Sequence, residues 1–227
     1  MSRGSWLAAA IAVCALNAAP ARAQALDPVP GRIEIAGGAT WYGGAGFGRA
    51  DATETTNTGA PYTLFTTSST LGSAVGPEAR VGVRLSRVFE VEAEASYVKA
   101  QLQTSITADA EQAAPVTATE PITQIAVGGA VVADLPRWRL GARGVPFLAA
   151  GAGYLRQLHE GQTLVATGRT YSAGGGVRFL LRARPGARLK AIGLRADVRA
   201  VARTKGIALD GRTHLSPVAG ISLFARF

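Results

Sequence analysis

Apolar and polar residues alternate with period two along most of this chain, and the alternation recurs eight times. The first such segment, 32–42, puts Ile33, Ile35, Gly37, Ala39 and Trp41 on one face, with Glu34, Ala36, Gly38, Thr40 and Tyr42 on the other. The second, 78–87, sets Ala79, Val81, Val83 and Leu85 against Arg80, Gly82, Arg84 and Ser86. A tight turn near Arg87 leads to the third, 88–103, where Phe89, Val91, Ala93, Ala95 and Tyr97 oppose Glu90, Glu92, Glu94 and Ser96. Such strict alternation predicts strands, because a helix would repeat every 3.6 residues. Further strands are predicted over 122–135, 145–158, 170–182, 191–203 and 214–227. Their apolar faces carry Ile125, Val127 and Val131, then Tyr171, Val177 and Phe179, then Ile192, Leu194 and Val198. The glycines and alanines of 145–158 leave its facing open.

The predicted connections alternate in length. Those at 43–77, 104–121, 159–169 and 204–213 are long; those at 86–88, 136–144 and 183–190 are short. An even number of antiparallel strands, with long loops at one end and short turns at the other, is the pattern of an outer-membrane barrel. The strands are also long enough to cross a bilayer when tilted, which takes about 9–11 residues. The fold class predicted is therefore all-β, an eight-stranded antiparallel up-and-down transmembrane β-barrel. A soluble barrel would turn the same apolar face inward around a ligand, and alternation alone does not choose between them.

Composition and the N-terminus narrow the choice. The chain has 227 residues, 48% of them hydrophobic. Past residue 25 the apolar runs are short, whereas a helical span needs roughly 20 consecutive apolar residues. A helical membrane protein is thereby excluded. Arg3, the apolar run Leu7 to Leu16 and the small residues of Ala21-Arg22-Ala23 have the layout of a cleaved secretory signal. Ala23-Gln24-Ala25 is a close second cleavage site. The expected organisation is a signal peptide at 1–23, an N-terminal extension at 24–31 and the barrel at 32–227. Cleavage would remove Cys14, the sole cysteine, and with it any disulfide or thiolate chemistry. The net charge of +9 raises nucleic acid as a partner. The aromatics are not interleaved with the basic residues as a stacking platform requires, so no nucleic-acid partner is expected.

The last strand ends on Phe227, with Ala225, Leu223, Ile221 and Ala219 at alternate positions before it. This pattern resembles the terminal-strand signal by which outer-membrane barrels are handed to their assembly machinery. The segments Gly151-Ala152-Gly153-Tyr154-Leu155-Arg156-Gln157-Leu158-His159-Glu160-Gly161 and Gly193-Leu194-Arg195-Ala196-Asp197-Val198-Arg199 resemble a bacterial outer-membrane β-barrel domain family. The whole predicted barrel resembles the small OmpA/OmpX type. The resemblance implies an outer-membrane location, the lipids of that membrane and the barrel assembly machinery as partners, and a monomer. It implies no activity.

With lipid outside, the polar faces point into a lumen just wide enough for side chains. The inward set is Glu34, Arg80, Arg84, Glu90, Glu92, Glu94, Arg178, Arg195, Asp197, Arg199 and Arg226. The predicted hairpin places Arg80 and Arg84 across from the Glu90, Glu92 and Glu94 row. Three carboxylates on one face repel each other unless guanidiniums sit between them, and the arginine fork suits that geometry. The reading is a salt-bridge plug; a small pore for ions or polar solutes is the alternative.

Catalytic candidates are few. Glu90, Glu92 and Glu94 lie deep in a strand with arginine partners expected, so structural pairing outweighs acid–base work. His159-Glu160 is not followed by a second histidine at zinc-binding spacing. The segment Gly43 to Gly48 has no helix after it and reads as a loop. His214 and Ser216 resemble the His-x-Ser pair of lipid-modifying barrel enzymes, which makes such an enzyme the second alternative, but Pro217 follows and no glutamate lies downstream. The expectation is a non-enzymatic protein without cofactor or metal, with loop 43–77 as its recognition surface. In the short turns, Arg137, Arg139 and Arg143 are expected at phospholipid headgroups, with Trp138 as an interfacial anchor.

Overall fold

The structure, a computed structural model, describes residues 31–107, 110, 114–159, 165–184, 186–207 and 212–227. The expected signal peptide lies outside the described residues, as does all but Gly31 of the expected extension.

Among the described residues ten strands form: β1 Ile33–Tyr42, β2 Ala45–Thr55, β3 Pro61–Leu71, β4 Ala74–Arg84, β5 Phe89–Thr107, β6 Val116–Asp134, β7 Gly144–Leu158, β8 Val165–Ala183, β9 Ala191–Lys205 and β10 His214–Arg226. Eight of them close a ring in the order β1–β4–β5–β6–β7–β8–β9–β10, every neighbour antiparallel. The ring is sealed by β1 against β10, from Glu34 opposite Arg226 to Tyr42 opposite Val218. Pairing the first strand with the last satisfies backbone groups that an open sheet would leave bare in lipid.

The expected loop 43–77 is corrected by the structure. It contains the hairpin β2–β3 and the start of β4. Leu71 to Thr66 of β3 pair with Leu102 to Thr107 of β5, above the stretch where β4 pairs with Glu90 to Ser96. One long strand thus serves two partners stacked end to end. The hairpin turn is held by the Thr56 hydroxyl, which accepts the Ala60 N–H at 3.1 Å, and by Gly59 at φ 84°. The other long connections also shrink, because β5 runs to Thr107, β6 starts at Val116 and β8 starts at Val165. All these additions are rich in threonine and serine. Their β-branched or small polar side chains favour extension, but beyond the buried Ala45, Phe47, Ser69 and Leu71 most residues of β2 and β3 are exposed or half-buried on both faces, so no apolar alternation marks them.

The two faces of the ring sort by polarity. Ile35, Val81, Val91, Val127, Leu148, Val198, Ile221 and Leu223 stand exposed on the outside, while Glu34, Arg80, Glu90, Glu92 and Arg195 are buried inside. That inversion of a soluble barrel is what a lipid surround requires. It also settles the facing of β7: Phe147, Ala149, Leu155 and Gln157 point inward, and Leu148, Tyr154 and Arg156 outward. At the short-turn end, Trp138 closes a 3-10 turn, Pro136–Trp138, and is 73% exposed.

Toward the long-loop end the lumen is filled by an apolar cluster of Ala45, Phe47, Leu71, Ala100, Leu102 and Ile122. Phe47 comes from the segment read as a loop, so the hairpin supplies part of the barrel's stopper. Lower down, inward glycines make room for longer neighbours. A Cβ at Gly176 would stand 2.1 Å from the Ala196 carbonyl oxygen and 2.7 Å from the Asp197 Cβ. Gly176→Ala is therefore expected to cost about 1–3 kcal/mol through overpacking, read as a lowered urea midpoint for unfolding from vesicles. An unchanged midpoint would show that β8 and β9 can separate there freely.

Candidate functional site

The lumen holds a continuous set of ion pairs, built because alternate residues of seven strands point at one axis. Arg178 of β8 is its hub. Its guanidinium lies 2.5 Å from Asp134, 2.8 Å from Glu92, 3.2 Å from Glu90 and 3.4 Å from Glu34. Arg195 of β9, fully buried, donates to Glu92 and lies 3.4 Å from Asp197. The Arg226 Nε donates to Glu34 at 2.5 Å, which ties the last strand to the first. Arg84 donates to Asp134 and lies 3.7 Å from Glu90. The Phe147 ring supports this layer, with the Arg195 and Arg178 guanidiniums 4.4 and 5.0 Å from its centroid.

A second layer sits nearer the long-loop end. Arg80 donates to Asp197 at 2.8 Å and to Glu78 at 2.9 Å. Arg199 donates from Nε to Asp197 at 2.8 Å and from Nη1 to Glu94 at 2.6 Å. Above it, Arg203 donates to Gln124 at 3.0 Å and lies over the Tyr42 ring at 5.3 Å. Tyr42 and Ser96 share a hydrogen bond of 2.9 Å. Between these groups is a cavity of about 50 Å³, lined among others by Thr40, Tyr42, Glu78, Glu94, Arg199 and Arg203. It has room for a few waters, far below the ~300 Å³ of an ordinary ligand pocket.

All eleven residues of the expected interior set fall in these two layers. The pairing differs from the hairpin expectation. Register does set Arg80 opposite Glu94 and Arg84 opposite Glu90, yet of the two only Arg84 reaches its partner. Arg80 instead crosses the lumen to Asp197, and Glu94 is met by Arg199. Strand tilt offsets side chains on neighbouring strands, so long residues find closer partners across the axis. Sequence reasoning missed Glu78, Asp134 and Arg203. The signal was present in parity: Asp134 falls on the face opposite Val131 and Ala133, and Glu78 precedes Arg80 by two. With them, the described lumen holds seven arginines against seven carboxylates.

Three of those carboxylates, Glu34, Glu90 and Glu92, have oxygens within 4.8 Å of one another, a spacing that suits a cation. The cationic groups in that place are Arg178, Arg195 and Arg226. The protein thus supplies its own counter-charge.

The remaining candidates are dispersed. His214 meets the Phe47 ring edge-on at 5.5 Å. Ser216 is buried on the inward face, and its hydroxyl has no hydrogen-bond partner among the described residues. The His159 Nδ1 lies 3.0 Å from Glu120 at the long-loop rim. Ala219, Ile221, Leu223, Ala225 and Phe227 all lie on the outward face of β10 and its end.

A closed ring of eight strands, apolar outside and ion-paired inside, defines an integral-membrane β-barrel. No family model matches the chain, and no curated protein matches it. Among solved structures it is similar to the outer membrane protein OprG from Pseudomonas aeruginosa, with 11% identity and a TM-score of 0.49 over 88% of this chain and 97% of that one. It is also similar to Ail, the attachment invasion locus protein of Yersinia pestis, with 10% identity and a TM-score of 0.38 over 87% and 99%.

Proposed function

We propose that this chain is a non-enzymatic integral protein of the bacterial outer membrane, a monomeric small barrel of the OmpA/OmpX type. Its lumen is a structural plug, and the β2–β3 hairpin above the ring is its recognition surface. The observation that carries the reading is the matched interior: seven arginines and seven carboxylates, capped by the cluster around Phe47. A narrow lumen filled by paired long side chains and an apolar stopper supports a plug over a pore. The outward apolar belt calls for lipid, and the expected signal peptide for export. The outward residues 219 to 227 of the last strand suit recognition by the assembly machinery. The hairpin displays Asp51, hydrogen-bonded by Thr66 at 2.7 Å, and Glu54, hydrogen-bonded by Tyr62 at 3.1 Å.

The test is conductance across a planar bilayer, using refolded protein whose barrel is verified by heat-modifiable migration on a gel. A silent membrane is expected. Steady openings from folded wild-type protein would replace the plug with a pore and make the Arg/Glu layers its selectivity filter.

A further inference from the structure

The outer wall of the ring is apolar around its middle, but toward the long-loop end it carries three charges. Among the described residues of the ring strands, these are Lys99 on β5, Arg156 on β7 and Arg169 on β8. All are cations, all are exposed, and none makes an ion pair with a described residue. Each stands two residues beyond an exposed tyrosine that lies closer to the middle: Tyr97, Tyr154 and Tyr171 respectively. The same two-residue grammar on three strands is what a bilayer boundary demands, with the phenol at headgroup level and the cation just above it.

The cations also gather on one side. Tyr154 pairs with Arg169 and Arg156 with Thr167, so the two arginines are diagonal neighbours. Diagonal positions on paired strands lie about 7–8 Å apart, within reach of a common anion. Lys99 stands two strands away, across Thr123. On β9 the partner of Arg169 is Thr204, and Lys205 beside it, on the other parity, is an exposed cation at the strand's end; the outward residues of β10, β1 and β4 toward this end, Leu215, Trp41 and Val75, are uncharged.

We propose that the outer wall of β5 to β8 is a binding site for a phosphorylated lipid of the outer leaflet, its phosphate held between Arg156 and Arg169 with Lys99 completing the anionic contact. Charge complementarity selects phosphate, because the arginine fork bonds its oxygens in pairs. The wall selects a lipid over a free ion. Three exposed side chains form no closed pocket, and the apolar strip below them, with Val127 and Leu148, gives acyl chains a surface to lie on. The inference rests on the outer-membrane reading, with the long-loop end facing out.

The test is native mass spectrometry of the folded barrel in neutral detergent, titrated with diphosphorylated lipid A. Wild type should retain the lipid, excess inorganic phosphate should not displace it, and K99Q/R156Q/R169Q should lose at least about tenfold in affinity. The variant's fold should persist, since these side chains leave the lumen untouched; heat-modifiable migration checks this. Equal binding by the triple variant, or equal binding of dephosphorylated lipid A, would overturn the proposal. Failure of the wild type to insert into lipid vesicles would instead overturn the outer-membrane reading on which it rests.

Discussion

Replacing Arg178 by methionine is expected to cost about 3–5 kcal/mol of folding stability, the largest effect of any single substitution in the lumen. Four carboxylates, on β1, β5 and β6, lie within 3.4 Å of this one guanidinium. Methionine preserves most of the volume, so the loss is electrostatic: four buried negative groups lose the charge that lets them share a site. Reversible urea unfolding from lipid vesicles, followed by tryptophan fluorescence, measures it. The effect should be non-additive. R178M/E92Q should lose less than R178M alone, because the second change removes one of the stranded charges. Arg203→Met supplies the contrast. Arg203 is buried yet bonded to Gln124 and packed on the Tyr42 ring with no ion pair to a described carboxylate, so its removal strands no charge, only the Gln124 carbonyl, and should cost less than R178M, about 1–3 kcal/mol. If R178M costs under about 1 kcal/mol, the network is not what holds the strands in place.

This contrast bears on what the sequence makes legible. Period-two alternation identifies strands wherever one face meets lipid and the other a charged lumen, and the eight ring strands are found that way. It fails on β2 and β3 outside the buried Ala45, Phe47, Ser69 and Leu71, and on the tops of β5, β6 and β8, where exposed or half-buried residues on both faces remove the hydrophobic signal. Facing is legible too: the parity that buries Glu92 and Arg195 follows from Val91 and Leu194 beside them. Partner choice is not. Arg80 and Asp197 are 117 positions apart, and their meeting depends on the tilt and stagger of the whole ring. Phe47 escapes for a different reason. It looks like a loop residue among glycines, and becomes a core residue where Gly43 packs so closely on Pro217 that a Cβ would stand 2.6 Å away and Gly48 turns at φ 84°.

Phe47 and Arg195 belong to two separate seals, so opening the barrel should need two cuts. Phe47→Ala removes the largest side chain of the upper cluster but leaves the ion-pair layers across the path. Arg195→Ala removes the fully buried guanidinium over Phe147 but leaves the apolar stopper above. Each single variant is expected to stay silent in a planar bilayer, whereas F47A/R195A should show steady openings. The sign of selectivity follows from the count: removing Arg195 leaves six arginines against seven carboxylates, an excess negative charge in a narrow low-dielectric path. Such a lumen should prefer cations, read as a reversal potential of cationic sign across a salt gradient. Conductance from F47A alone would show that the ion pairs do not seal the lumen. Silence from a folded double variant would move the constriction down to the packed side chains of Val132, Phe147 and Phe224.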